Sequence, residues 1–138
     1  MKVKRMKIGL IGSPRYENKR KIRETIFRLL QRFKDDLVIV SCGEKIGAEK
    51  YIKRYALEMG CNYKEFNPSH TVKNLYSAMN EGFYGKEYKP ANFFHRNKLL
   101  TSHINVIIAF MEDTRNCDGI LDIIKNAKKL NKKVVIIN

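Results

Sequence analysis

The sequence predicts an α/β fold: a three-layer α/β/α sandwich on a five-stranded, mostly parallel sheet. Three observations carry this. Apolar runs of strand length alternate along the chain with amphipathic stretches of helix length. The runs at 37–40, 106–110 and 134–137 are almost unbroken Val, Ile and Leu, as strands buried on both faces require. Glycines and small polar residues collect after the first, second and fourth runs, where open parallel sheets bind ligands.

Residues 6–12 are the expected first strand, running into Gly12-Ser13-Pro14-Arg15. Residues 18–34 form an amphipathic helix. Its Ile22, Ile26, Leu29, Leu30 and Phe33 recur at i, i+4, i+7, i+8 and i+11 on one stripe. Lys19, Arg20, Arg23, Arg28 and Arg32 lie mostly off that stripe and make a basic outer surface. Asp35-Asp36 ends the pattern. Residues 37–41 are the second strand, followed by a second glycine-bearing loop, Cys42-Gly43-Glu44-Lys45-Ile46-Gly47. Ala48, Ile52, Tyr55, Ala56 and Met59 mark the next helix, with Gly60 as its C-cap. Residues 63–66 form a weaker third strand.

Residues 67–92 are irregular, with Pro68, Gly82, Gly85 and Pro90 among the aromatics Tyr76, Phe83, Tyr84 and Tyr88. A short helix over 71–80 is expected inside this stretch. A connection of this length suits a lid or binding loop, and its tyrosines suit a cover for a stacked base. Residues 91–102 read as a helix carrying Phe93, Phe94, His95, Arg96, Asn97, Leu99 and Leu100, with Phe93 and Phe94 expected in the core. Residues 106–110 are the fourth strand. Asn116 or Asp118 is placed to cap the last helix, whose Ile120, Ile123, Ile124, Ala127 and Leu130 face inward. That helix ends at Asn131, and residues 134–137 are the final strand. No repeat, low-complexity tract or linker divides the chain, so residues 1–138 are expected to be one domain.

Hydrophobic residues make up 43% of the chain and charged residues 30%, a globular composition able to bury a core. The longest apolar run, 106–111, is far too short to span a membrane. The first residues hold no apolar stretch of signal-peptide length. A cytoplasmic protein with no membrane partner is expected. Cys42, Cys61 and Cys117 are widely spaced and read as reduced thiols. Neither they nor His70, His95 and His103 show metal-site spacing, so no metal and no cofactor is expected. The net charge is +14, and residues 1–36 hold twelve Lys and Arg against four acids. That balance suits a polyanionic partner, nucleic acid or a phosphate ligand, and equally serves solubility.

The first loop has the elements of an anion site. A strand, a glycine turn and a helix start aim backbone N–H groups at one point. Gly12 lets the backbone approach a ligand, Ser13 offers a hydroxyl, and Arg15 can fork onto phosphate or carboxylate oxygens. The same residues also read as an ordinary strand-to-helix connection with a solvated arginine. Glu44 and Glu49 flank the second loop. They suit ribose hydroxyls or, as well, the positive end of the following helix.

The ordered set of motifs resembles the SLOG superfamily of Rossmann-like domains. That group includes the YspA/YpsA-like proteins, the LOG phosphoribohydrolases and DNA-processing protein A. The matching residues are Gly12-Ser13-x-Arg15, then Ser41-x-Gly43 with Gly47-Ala48-Glu49, then Arg96-Asn97, then Asp118-Gly119-x-x-Asp122. They span nearly the whole chain and look most like the YspA-like branch. The resemblance implies a pocket for a nucleotide or nucleotide-derived ligand, in sensing or signalling. By that implication Gly12 and Ser13 line a phosphate or ribose, and Arg15 contacts an anionic group. Ser41, Gly43, Gly47 and Glu49 make a second wall, Arg96 and Asn97 reach in from a helix, and Asp118 and Gly119 open the last helix toward phosphate.

The departures concern chemistry. Cys42 stands where the branch has glycine, Glu49 replaces aspartate, and Ile120 replaces a threonine. The N-glycosidic hydrolases of the superfamily carry a glutamate four residues after the last-helix glycine, and here that position is Ile123. Asp122, one residue earlier, points about 100° away around a helix. Three readings follow. The first is binding of a nucleotide-like small molecule. The second is N-glycosidic hydrolysis or transfer on nucleosides or nucleotides, with Glu49, Asp118 or Asp122 as the carboxylate. The third is nucleic-acid binding through the basic surface. A homo-oligomer is compatible with all three.

Overall fold

The structure is a computed structural model that describes residues 5–67, 70–87, 89–112 and 118–138. Its elements run β1 (Met6–Gly12), α1 (Lys19–Phe33), β2 (Leu37–Ser41), α2 (Ala48–Glu58), β3 (Asn62–Glu65), α3 (Pro90–His103), β4 (Val106–Phe110), α4 (Asp118–Lys129) and β5 (Lys133–Ile137). The five strands form one sheet in the order β3-β2-β1-β4-β5, and every pairing is parallel. β1 is therefore central. Its Gly9 pairs with Val40 on one side and Ile107 on the other. Strand order reverses between β1 and β4, which puts the switch point at the carboxyl end of β1.

Period-two alternation sends side chains to two cores. Ile8 and Leu10 of β1, Ile39 of β2, and Ile108 and Phe110 of β4 pack with Ile22 and Ile26 of α1 and Ile52 and Ala56 of α2. Ile11, Val38, Val40, Ile107 and Ala109 pack the other face, against Leu100 of α3 and Ile120, Ile123, Ile124 and Ala127 of α4. Two covered faces explain why the central strands carry no alternation of apolar and polar residues.

The helix ends follow local chemistry. The Asn18 side chain accepts a hydrogen bond from the Lys21 N–H at 3.2 Å and caps α1. Gly60 has φ 71°, while the N–H groups of Gly60 and Cys61 donate to Leu57 and Ala56 carbonyls, a Schellman ending for α2. Asn131, at φ 57°, follows α4. Asp118 is the first residue of α4 rather than its cap, and Asn116 lies outside the described residues, as do Pro68, Tyr88 and Cys117.

Three sequence expectations are corrected. Residues 71–80 do not form a helix. The Asn74 side chain accepts from the Tyr76 N–H at 2.8 Å and bonds Ser77, which favours a turn over a helix. The chain beyond it then docks on the sheet edge, where Glu65 N–H donates to Tyr76 O and Ala78 N–H to Glu65 O. Phe94 is not core but 55% exposed, because α3 buries a different face, through Arg96, Asn97, Leu100 and Thr101. Phe93 is half-buried, beneath the Arg96 guanidinium at 5.3 Å. β3 begins one residue earlier than expected.

Candidate functional site

Because all strands are parallel, the loops after β1 and β2 and the start of α4 share one rim. They enclose a cleft of about 180 Å³ that opens at the switch point. Gly12 and Pro14 reach it from the first loop, Cys42, Glu44, Ile46 and Glu49 from the second loop and α2, Arg96 from α3, and Gly119, Ile120 and Ile123 from α4.

Backbone packing at the rim explains the glycines. A Cβ on Gly12 would collide with the Ala48 Cβ, so only glycine lets β1 run against the start of α2. Gly47 has φ 66°, and a Cβ there would lie 2.5 Å from Pro14 Cα and the Ser13 carbonyl. The two loops are fastened together at that point, with the Ala48 N–H donating to Ser13 O at 3.2 Å. Ser13 is buried, and its hydroxyl accepts the Arg15 N–H.

The floor of the cleft is charged and buried. Arg96 donates through Nε to Asn97 Oδ1 at 2.8 Å and through Nη1 to the carbonyls of Phe66 and Cys42 at 3.2 and 3.3 Å. Its Nη1 lies 3.7 Å from the half-exposed Glu44 carboxylate. Among the hydrogen bonds Arg96 makes with described residues, none uses Nη2. Glu49 is 4% exposed and accepts the Cys42 N–H at 2.6 Å. Burial, reinforced by Glu44 and opposed by Arg96 and that N–H, raises the Glu49 carboxyl to about 8. At neutral pH it is a neutral acid, able to donate. Burial also holds the Cys42 thiol well above its ordinary range, so it is no nucleophile at neutral pH.

Asn97 faces elsewhere. Its Nδ2 donates to Asp122 Oδ2 at 2.9 Å, and Asn126 also bonds that carboxylate, so the trio clamps α3 to α4. The direction of Asp122 away from the cleft is the one helical geometry predicts. Ser41 is fully buried in a second network around Glu65. Tyr63 OH donates to Glu65 Oε2 at 2.8 Å, which leaves Ser41 Oγ to donate to the tyrosine oxygen at 2.6 Å while accepting the Gly43 N–H. Asn67 and Asn74 donate to Glu65 Oε1, each at 2.6 Å, and Lys53 pairs with it at 3.2 Å. Burial alone would raise the Glu65 carboxyl, but these partners together hold it below the usual range.

The cleft thus gathers Gly12, Glu49, Arg96 and Gly119 from the expected site residues. Ser13, Ser41, Gly43, Gly47 and Asn97 build its walls or brace its neighbours without lining it. Arg15 and Asp118 are exposed beside the rim. Two of the tyrosines expected to cover a base, Tyr76 and Tyr84, are engaged in packing, and Tyr88 lies outside the described residues. Tyr76 stands edge-on to Tyr63, and buried Tyr84 accepts the Met79 N–H through its hydroxyl. Sequence reasoning missed Ile46 as a wall of the cleft and Glu65 as a hub, since neither stands in a motif. Among the described residues no group of His, Cys, Asp and Glu is placed to hold a metal ion, and no helix is long and apolar enough to cross a membrane.

A three-layer parallel sheet with this strand order and a cleft at its switch point is a Rossmann-like α/β fold. No protein-family model matches the chain, and no curated protein matches its sequence. Solved structures do match. DNA processing protein A from Helicobacter pylori superposes with a TM-score of 0.71 at 21% identity, over 96% of this chain and 65% of that one. The molybdenum cofactor binding protein of Rippkaea orientalis superposes with a TM-score of 0.69 at 17% identity, over 96% of this chain and 76% of that one. The chain thus spans less than two thirds of the Helicobacter protein. At these identities the likeness is one of fold.

Proposed function

We propose that the chain, acting as one domain, binds a nucleotide or nucleotide-derived ligand at the carboxyl rim of its sheet. The observation that carries this is the convergence of the loops after β1 and β2, of Arg96 from α3 and of the start of α4, all distant in sequence, on one cleft at the switch point. Each part of a nucleotide finds suitable chemistry there. Pro14, Ile46 and Ile120 offer apolar contact to a base or sugar. Glu44 and the protonated Glu49 suit hydroxyls and ring nitrogens. Arg96 and the start of α4 at Gly119 suit an anionic oxygen. The cleft is smaller than the roughly 300–1,000 Å³ usual for small-molecule sites. One moiety of the ligand would fill it while the rest runs over the rim past exposed Arg15. The single-stranded DNA and molybdenum cofactor bound by the two structural neighbours support a ligand- or nucleic-acid-binding role.

Mass spectrometry of small molecules released from purified protein would identify the ligand. Calorimetry with that ligand then tests the site. Arg15→Ala should weaken binding by roughly 1.5–3 kcal/mol, the scale of a hydrogen bond to a charged group. Glu44→Gln should also change affinity. Unchanged affinity in both folded variants would remove the rim from consideration.

A second reading, N-glycosidic cleavage, is favoured by Glu49, whose carboxyl keeps its proton at neutral pH as a general acid must. Ile123 weighs against it, since an apolar side chain lines the cleft where the related hydrolases carry glutamate. Release of free base from nucleosides or nucleoside monophosphates, lost in Glu49→Gln, is the outcome that would establish it.

A further inference from the structure

The outer face of α1 combines two features. Lys19, Arg20 and Lys21 crowd its first turn, which contains no acid, although that end of a helix carries positive partial charge. Over the whole helix six basic residues face one acid, Glu24. Glu24 is taken by Arg20 at 3.2 Å, in a pair whose side chains are 89% and 48% exposed. Such an arrangement disfavours the helix slightly, and anions that approach from outside would relieve it.

The second feature is Phe27, which lies 51% exposed in the middle of this basic face. It does not stand alone. Arg20, Arg23, Glu24 and Phe27 share one side of the helix by their i, i+3, i+4 and i+7 spacing. With Met59 from the end of α2 they enclose a crevice of about 370 Å³. An exposed ring, a thioether and two guanidinium groups form a slot with apolar walls and a cationic mouth.

We propose that this face is a contact surface for single-stranded nucleic acid, with an unpaired base seated against Phe27 and the flanking phosphates held by Arg20 and Arg23. Single strands suit it better than duplex, because only an unstacked base can enter the crevice. The carboxylates of an acidic protein segment would satisfy the arginines but offer no aromatic face to stack on the Phe27 ring. The surface is separate from the rim cleft, and either reading can fail alone.

Fluorescence anisotropy of the full chain with a labelled oligothymidylate of about 16 nucleotides tests it. Binding should weaken steeply between roughly 50 and 200 mM salt. Phe27→Ala should lower affinity about 5- to 150-fold, the range for removal of one base–aromatic stack. Phe27→Tyr should keep affinity, whereas Phe27→Leu, which retains apolar bulk, should lose it. The double variant Arg20→Gln/Arg23→Gln should flatten the salt dependence by about 0.7 in log–log slope for each phosphate left without its arginine. Half-exposed Phe27 can be changed without unfolding the chain, and a thermal melt checks this. Were Phe27→Ala to misfold, the Tyr and Leu variants would still decide. No binding at the lowest salt overturns the proposal, and so does equal affinity of Phe27→Leu and Phe27→Tyr. Competition by polyglutamate that is itself sensitive to Phe27→Leu overturns it too, in favour of an acidic protein partner.

Discussion

Replacing Glu49 by glutamine should change how the stability of this protein depends on pH. The carboxyl is 4% exposed and titrates near 8 in the fold, against an ordinary 4.5. A raised carboxyl means that the folded chain holds a proton the unfolded chain has released, so stability falls as pH rises from about 4.5 to about 8. At about 1.4 kcal/mol per pH unit, the loss between pH 5 and pH 7 is about 3 kcal/mol as an upper bound. Glutamine keeps a carbonyl to accept the Cys42 N–H and cannot ionise. The variant should therefore lose none of this stability, and its advantage over wild type should grow across that interval. The depressed Glu65 and His103 groups act in the opposite sense, since both make stability fall on acidification. They are present in both proteins and cancel in the difference. Urea unfolding at pH 5, 6, 7 and 8 with a constant slope gives the comparison. Parallel curves for variant and wild type would show that Glu49 ionises normally inside the cleft. The hydrogen-bond donor invoked for the ligand would then not exist.

Gly47→Ala should cost several times more stability than Gly60→Ala. Both have positive φ, which costs about 1 kcal/mol, but only at Gly47 would the new Cβ collide with Pro14 and Ser13; thermal melts would rank them. Asp122→Ala should destabilise by about 1–3 kcal/mol, because it strips the buried Asn97 amide of its short acceptor. Chemical denaturation measures this, and a double variant with Asn97→Ala should cost less than the two singles combined. Leu100→Ala should cost about 2–5 kcal/mol, since Leu100 is fully buried between α3 and the sheet.

Much of the fold was legible because its signals are local. The stripe of Ile22, Ile26, Leu29, Leu30 and Phe33 defines α1 from spacing alone. Gly60 and Asn131 mark helix ends because few other residues adopt positive φ at low cost. The departure at 71–80 has a physical origin. Asn74 and Ser77 form their own turn, and the backbone then pairs with the edge of β3, a partner distant in sequence. Phe94 departs from expectation for a similar reason, since α3 buries a polar pair, Arg96 and Asn97, in preference to an aromatic one. Hydrophobicity alone cannot indicate that choice.

What the sequence by itself determined is the alternation of strands and helices, the parallel sheet, and the rim at which glycines and charges collect. These rest on periodicity, on glycine's freedom and on the need of a βαβ chain to return its loops to one edge. Only the tertiary structure decided which motif residues face the cleft. It turned Ser41 into the Glu65 network, set Asn97 to clamp two helices, and left Arg15 exposed beside the rim. It also buried Glu49 beneath Glu44 and beside Arg96, and so gave an ordinary carboxyl its proton at neutral pH. Direction and burial depend on neighbours from other elements, and those neighbours meet only when the sheet has assembled.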